Sequence, residues 1–269
     1  MERRTYLKST GTAAAALAMA GCLGGGGSGS KTISIGSDIP YPPFEYMENG
    51  EPAGFDPAIA QAVFTDQLGY EYSFKDTSFD GIIQALNNGN FRVIMSAMTI
   101  TEERAEKVDF SDPYFTAYQT IAVLQNSSID EKSDLKGKAV GVQKGTTGAG
   151  AAEALKEELG GDLTIKRFDT IASAFNALLN NQVSAVINDN TVSAEYVSKN
   201  DDELRFVEGD GAAVEAGREA PPYLTLTIED YGIAFRKDDD ELRKEVNDAL
   251  ATIKENGTYD DIYSEYFAG

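Results

Sequence analysis

The chain has 269 residues, 42% hydrophobic and 10% aromatic, enough for one large domain or two smaller ones with their own cores; a disordered chain is excluded. The formal net charge of −21 excludes a nucleic-acid-binding surface, because phosphate contacts need basic side chains. There is no histidine and a single cysteine, Cys22, which excludes histidine-based triads, thiol nucleophiles in the body, ordinary zinc sites and an intrachain disulfide.

The start, MERRTYLKSTGTAAAALAMAGC, carries a twin-arginine pair (Arg3, Arg4), then a short apolar run from Ala13 to Ala20. That run is too short to span a bilayer and has the character of the apolar core of an export signal. Met19-Ala20-Gly21-Cys22 resembles a lipobox, so residues 1–21 are expected to be removed and Cys22 lipidated. GGGGSGS within residues 22–31 predicts a flexible tether. No later apolar run reaches the roughly 18 residues of a membrane span.

From there short β-rich runs alternate with helical ones, which predicts an α/β fold. TISIG (32–36) is a strand. FDPAIAQAVFTDQLG (55–69) is a helix, with Asp56 as cap, Pro57 in the first turn and Gly69 as stop. EYSFK (71–75) is a strand, SFDGIIQALNNG (78–89) a short helix, and RVIMSA (92–97) a strand. ITEERAEKV (100–108) is a helix capped by Thr101. TIAVLQ (120–125) and AVGVQ (139–143) are strands, and GTTGAGAAEALKEELGG (145–161) is a loop entering a helix. TIKRF (164–168), SAVIND (184–189) and YGIAF (231–235) are strands. DTIASAFNALLNN (169–181), ELRKEVNDALATIKENG (241–257) and the closing YDDIYSEYF (259–267) are helical.

Four polar clusters fall at the carboxyl ends of predicted strands: Ser37-Asp38, Thr99 with Thr101, Gly145-Thr146-Thr147, and Asn188-Asp189. In open α/β sheets that edge is where ligands bind. Their chemistry is complementary. Arg104 offers a planar fork for a carboxylate, although a cation on the first turn of a helix is disfavoured by the dipole. Thr99 and Thr147 offer hydroxyls and N–H groups near helix starts. Asp38 and Asp189 offer negative charge, and Tyr41, Phe44 and Phe79 offer apolar faces. A small zwitterion fits this set. Taken singly, Arg104 could pair with Glu102, Glu103 or Asp109 on the surface. Asp189, Thr146 and Thr147 could be helix caps, and Tyr41 and Phe79 could be core.

The motifs IGSDIPYPPFEY, GFDPAIAQAV, SFDGIIQAL, IMSAMTITEERAEKVDFSDPYF, LKGKAVGVQKGTT, AVINDN, YGIAF and KENGTYDDIYSEYF cover almost all of residues 32–268. They resemble the periplasmic polar amino-acid-binding proteins of ABC importers, solute-binding protein family 3. The resemblance implies a two-lobed, type II periplasmic-binding-protein-like α/β fold, with two crossing hinge strands and a cleft between the lobes. Residues 32–117 plus 229–269 would form lobe 1, and 118–228 lobe 2. It also implies roles. Arg104 would grip the ligand carboxylate with Thr99 and Thr147, and Asp189 would take the ammonium with Thr99 and the Ala97 carbonyl. Tyr41 and Phe79 would flank the side chain, and Asp38 would meet its far end. Gln143 and Asn188 fall where specificity varies, and the matched motifs add Met98 and Thr146 to the ligand-binding set. Departures are Arg92 and Ser184 at strand starts, Gln143 in place of a lysine or leucine, and a longer 208–226 segment with Pro221-Pro222.

The expectation is therefore extracytoplasmic capture of a polar or basic amino acid, such as glutamine or arginine, and its delivery to a permease. The protein would be a monomer without cofactor or metal, held on the outer face of the membrane through lipidated Cys22. The acid-rich composition and the lipoprotein signal resemble those of haloarchaeal proteins. Two rival readings are a dehydratase-like enzyme, with Asp38 and Glu45 as an acid/base pair, and a sensory module. The latter is disfavoured because such modules usually continue into a membrane span and signalling domain, whereas this sequence stops at Gly269.

Overall fold

The computed structural model describes residues 32–267, so the expected signal, Cys22 and the whole tether lie outside the described residues. No helix among the described residues is long and apolar enough to cross a membrane.

Two mixed sheets form two lobes. The first has the strand order Glu71–Asp76, Thr32–Ser37, Val93–Ile94, Ala234–Phe235, Asp109–Phe110, with the first three strands parallel. The second has the order Leu204–Phe206, Phe115–Leu124, Ala185–Asp189, Ala139–Gln143, Thr164–Phe168, with the last three parallel. Parallel strands of this kind are buried on both faces, which explains the unbroken apolar runs in AVGV and AVI. Helices cover both sheets. In the first lobe Ile33, Ile35, Phe44, Phe55 and Phe64 form the core, and in the second Val140, Val142, Leu155 and Ile187 do so. The lobes join through Phe115–Leu124 and Thr225–Tyr231, which pair antiparallel from Tyr231↔Phe115 to Thr225↔Thr120 with a shift of register after Thr225.

Several elements differ from the sequence reading. The 55–69 helix begins at Phe55 and runs to Ala60, then widens over Gln61–Gln67 into π-helical bonding such as Leu68 N–H to Val63 C=O. Its cap position is Gly54, at φ 121°, where a Cβ would stand 2.4 Å from the Phe44 carbonyl oxygen. Asp56 is therefore no cap. It is fully buried, and its carboxylate accepts the Ala97 N–H (3.0 Å) and the Tyr114 hydroxyl (2.7 Å). The strand predicted over 92–97 is only Val93–Ile94, and the chain then bends to Ala97 at φ 44°. The strand predicted at 231–235 shrinks to Ala234–Phe235, while Thr225–Tyr231 is a strand the sequence did not reveal. By contrast Ala139–Gln143 and Thr164–Phe168 have the predicted bounds. Thr101 caps Glu102–Ala105 through the Arg104 N–H.

The long 208–226 segment also has a place. It contains a short helix, Ala212–Glu215, and lies against the crossing strands. Tyr223 stacks on Phe206 with centroids 4.2 Å apart, and its hydroxyl meets the Asn190 amide, whose oxygen accepts the Tyr118 N–H.

Candidate ligand-binding cleft

The carboxyl ends of strands from both sheets face each other across the boundary between the lobes. Asp38 follows Thr32–Ser37, Ala97 and Thr99 follow Val93–Ile94, Gln143 ends Ala139–Gln143, and Asp189 ends Ala185–Asp189. Between them lies a small cavity, narrowed by the closure of the lobes, whose wall includes Asp38, Tyr41, Phe79, Ala97, Thr99, Gln143, Thr146, Thr147 and Asp189, together with Glu45 and Ser96. The lobes are closed on each other. Thr99 Oγ1 is 3.3 Å from Thr147 Oγ1, and Gln143 Nε2 donates to Asp38 Oδ2. Tyr41 Oη lies 2.5 Å from Asp189 Oδ2 and 2.9 Å from Asn188 Oδ1.

Arg104 is buried, and its guanidinium turns back from the helix start. Nη1 donates to the Thr99 carbonyl (2.7 Å) and Nη2 to the Gly145 carbonyl of the opposite lobe (3.1 Å). Its Cζ stands 5.2 Å from the centroid of the Phe79 ring. Carbonyl oxygens and a π face thus offset the unfavourable dipole. Burial pulls the guanidinium pKa down, with Glu229 and Asp189 opposing, but arginine stays charged. The surface pairing open to it from the sequence does not form, because Glu103 pairs with Lys107 and Asp109 with Lys237. Arg104 borders a wider outer groove rather than the inner cavity, with Phe79, Thr99, Thr146 and Thr147 in the wall between them.

Asp189 stands at the cap position of the helix Asn190–Lys199 but makes no capping bond. Its carboxylate instead faces the cleft, taking the Tyr41 hydroxyl and the Gln119 amide. Burial pushes its pKa up to about 7, helped by the charge of Glu229. Gly148 lets the helix Thr147–Glu158 come close, since a Cβ there would meet Gln119 Oε1 at 2.9 Å and the Ile187 carbonyl at 3.0 Å. The Thr146 hydroxyl is spent on that helix, accepting the Ala149 N–H and donating to the Gln143 carbonyl. Thr147 keeps its hydroxyl on the cleft.

Met98 lies off the inner cavity and borders the outer groove with Arg104. Its side chain is buried against Ile82, Leu86, Phe91 and Val108, and its carbonyl accepts the Gly232 N–H. The bend at Ala97 turns successive residues to opposite sides, so Ala97 and Thr99 take the cleft and Met98 the core.

Glu45 was considered only as a partner of Asp38 in the enzyme reading. It forms part of the cavity wall and is fully buried. Oε1 accepts the Ser96 hydroxyl at 3.0 Å, and Oε2 has no partner. Burial, then the neighbouring Asp56, push its pKa well above the carboxylate range. An acid inside the apolar run YPPFEY was the available signal. Asp38 is pushed to about 6, mainly by burial, against the Gln143 hydrogen bond. Among the described residues no lysine or arginine forms an ion pair with Asp38, Glu45, Asp56 or Asp189.

Similar proteins share this architecture. A probable histidine-binding protein of Neisseria gonorrhoeae is 34% identical over 266 residues, covering 95% of this chain and 93% of its own. The arginine-binding extracellular protein ArtP of Bacillus subtilis is 34% identical, covering 91% and 89%. A solved ancestral arginine-binding protein bound to arginine is 40% identical with a TM-score of 0.77, covering 88% of this chain and 98% of its own. These relatives are substrate-binding proteins rather than enzymes, although one solved neighbour is an amino acid-binding precursor of a dehydratase. The model of the bacterial extracellular solute-binding proteins, family 3, matches residues 33–269. The chain belongs to that family.

Proposed function

We propose that this amino-acid-binding protein captures an amino acid with a cationic or amide-bearing side chain outside the cytoplasm and passes it to an ABC-importer permease. The observation that carries this reading is the polarity of the cleft. Arg104 stands at one end, Asp189 faces it from the other lobe, and the unpaired acids Asp38 and Glu45 lie at the side-chain end. The ligand carboxylate takes the Arg104 fork in place of the Thr99 and Gly145 carbonyls, near the start of the helix Thr147–Glu158. The ammonium takes Asp189 in place of the Tyr41 hydroxyl. The side chain runs past Tyr41 and Phe79 toward Asp38. The lobes, 32–117 plus 229–269 and 118–228, open and close about the crossing strands. Only the closed form presents both charges to one ligand, so binding shifts the population toward it.

The relatives support the substrate class: they are described as binding histidine or arginine, and one solved ancestor is described bound to arginine and also to glutamine. The N-terminal pattern supports export through the twin-arginine route and anchoring by lipidated Cys22. A thermal-shift screen of the twenty amino acids at high salt tests the reading, since a ligand raises apparent stability by mass action. Arginine, lysine, histidine or glutamine should give the largest shifts. A screen led by leucine or glutamate would refute the assignment of the acidic end.

A further inference from the structure

Beneath the side-chain end of the cavity lie two carboxyls that cannot both be charged. Glu45 and Asp56 are fully buried, and each lies close enough to bear on the other's ionisation. Their four oxygens face three donors: the Ser96 hydroxyl on Glu45, and the Ala97 N–H and the Tyr114 hydroxyl on Asp56. The fourth oxygen, Glu45 Oε2, has none. The other ionisable groups around the pair are Asp38, Tyr41 and Tyr114, which bring no positive charge. Two buried like charges without a counter-ion hold one proton between them. That proton supplies the missing donor.

We propose that the Glu45–Asp56 pair is a proton-exchange site for the ligand, in which a cationic side chain entering the cavity takes the place of the shared proton. The inference rests on the amino-acid-binding reading above. The exchange is balanced. The pair begins with one proton and one negative charge; the ligand's guanidinium or ammonium arrives against Glu45, and the proton leaves to solvent. The pair then carries two negative charges against one positive. Ser96 couples the event to Asp38, since its oxygen accepts the Asp38 N–H while its hydrogen goes to Glu45. A neutral amide side chain brings no charge and leaves the proton in place. The site thus separates cationic from neutral amino acids by pH as well as by contact: affinity for the former rises with pH while the pair still holds its proton.

Titration calorimetry at pH 7, in two buffers of different ionisation enthalpy, counts the protons released when L-arginine or L-glutamine binds. Any proton that Asp189 releases to solvent on pairing with the ligand ammonium is common to both amino acids and cancels in the difference. The expected excess for L-arginine is about one proton, with its affinity gaining up to roughly tenfold per pH unit relative to L-glutamine. In Glu45→Gln the L-arginine count should fall by the same amount, which also serves where L-glutamine does not bind. If Glu45→Gln does not fold, the pH dependence of L-arginine affinity in the unmodified protein decides. Equal release for the two amino acids, or an L-arginine affinity with the same pH dependence as L-glutamine, overturns the proposal. So does failure to bind L-arginine; if L-glutamine is bound instead, the amino-acid-binding reading stands, and if no amino acid is bound both fall.

Discussion

The two ends of the cleft are both buried and polar, yet they solve opposite electrostatic problems. At one end Arg104 is already supplied with two carbonyl oxygens and the Phe79 face, and an acid, Asp189, stands across the boundary. At the other, Asp38, Glu45 and Asp56 lie together with no cation among the described residues to pair with them. The first end suits what all amino acids share. The second suits a feature only some of them have. A buried acid cluster without a counter-ion lowers stability, so its presence is better explained by a ligand than by folding.

The largest effect should come from the shared end. Arg104→Ala should cost about 2–5 kcal/mol of binding free energy for every ligand, which takes a micromolar affinity near −8 kcal/mol out of calorimetric range. Unchanged affinity in that variant would break the comparison at its base. Asp189→Asn should cost about 2–3 kcal/mol, toward the lower part of the same range, because Tyr41 and the Gln119 amide can still hold the side chain. It should also remove a pH dependence. In the unmodified protein, Asp189 takes up a proton as pH falls through about 7, and the ligand ammonium then loses its counter-ion. Affinity for every amino acid should therefore fall from pH 8 to pH 6 in the native protein and stay flatter in the variant.

The acidic end sharpens the contrast through stability instead. Asp56 is raised to about 6 and Glu45 well above its ordinary range, both by burial first. The folded protein therefore holds more protons than the unfolded chain between about pH 4 and the folded pKa values. Stability is then greatest at the acid side of that window and declines as pH rises through 6, by on the order of 2 kcal/mol. Urea unfolding at fixed salt from pH 4.5 to 7.5 measures this. Glu45→Gln should flatten the decline and gain stability mainly at pH 7.5. A gain equal at all pH values would point to packing rather than charge.

Much of this contrast was legible in the sequence where the cause is local. Thr101 as a cap, Ala139–Gln143 as a buried strand, and polar residues at strand ends follow from short-range rules. Asp56 was misread because the helix-cap preference is local, while its partners lie 41 and 58 residues away. The placing of Met98 off the inner cavity was not legible because an apparently regular strand bends at Ala97, a non-glycine residue at positive φ that no periodicity foretells. The crossing strand Thr225–Tyr231 was missed, although TLTI alternates polar and apolar residues as a strand does, because it adjoins a loop-like segment and is specified by pairing with Phe115–Leu124. Glu45 stood in plain view, but one acid in an apolar run means little until a cavity is found above it.

The smallest effect separates two uses of one ring. The family resemblance gives Phe79 to the ligand side chain, whereas the structure sets it against the Arg104 guanidinium at 5.2 Å. A cation over an aromatic face contributes about 0.5–1 kcal/mol, more where water is excluded. If the ring acts through Arg104, Phe79→Leu should lower the affinity for glutamine and arginine alike, by that amount, because both present the same carboxylate. If it acts by stacking on the ligand, arginine, with its flat cation, should lose more than glutamine. Calorimetry of both amino acids on that one variant decides between them. The contact already formed with Arg104 favours an equal loss, which would assign Phe79 to the shared end of the cleft and leave Tyr41 as the ring that faces the variable one.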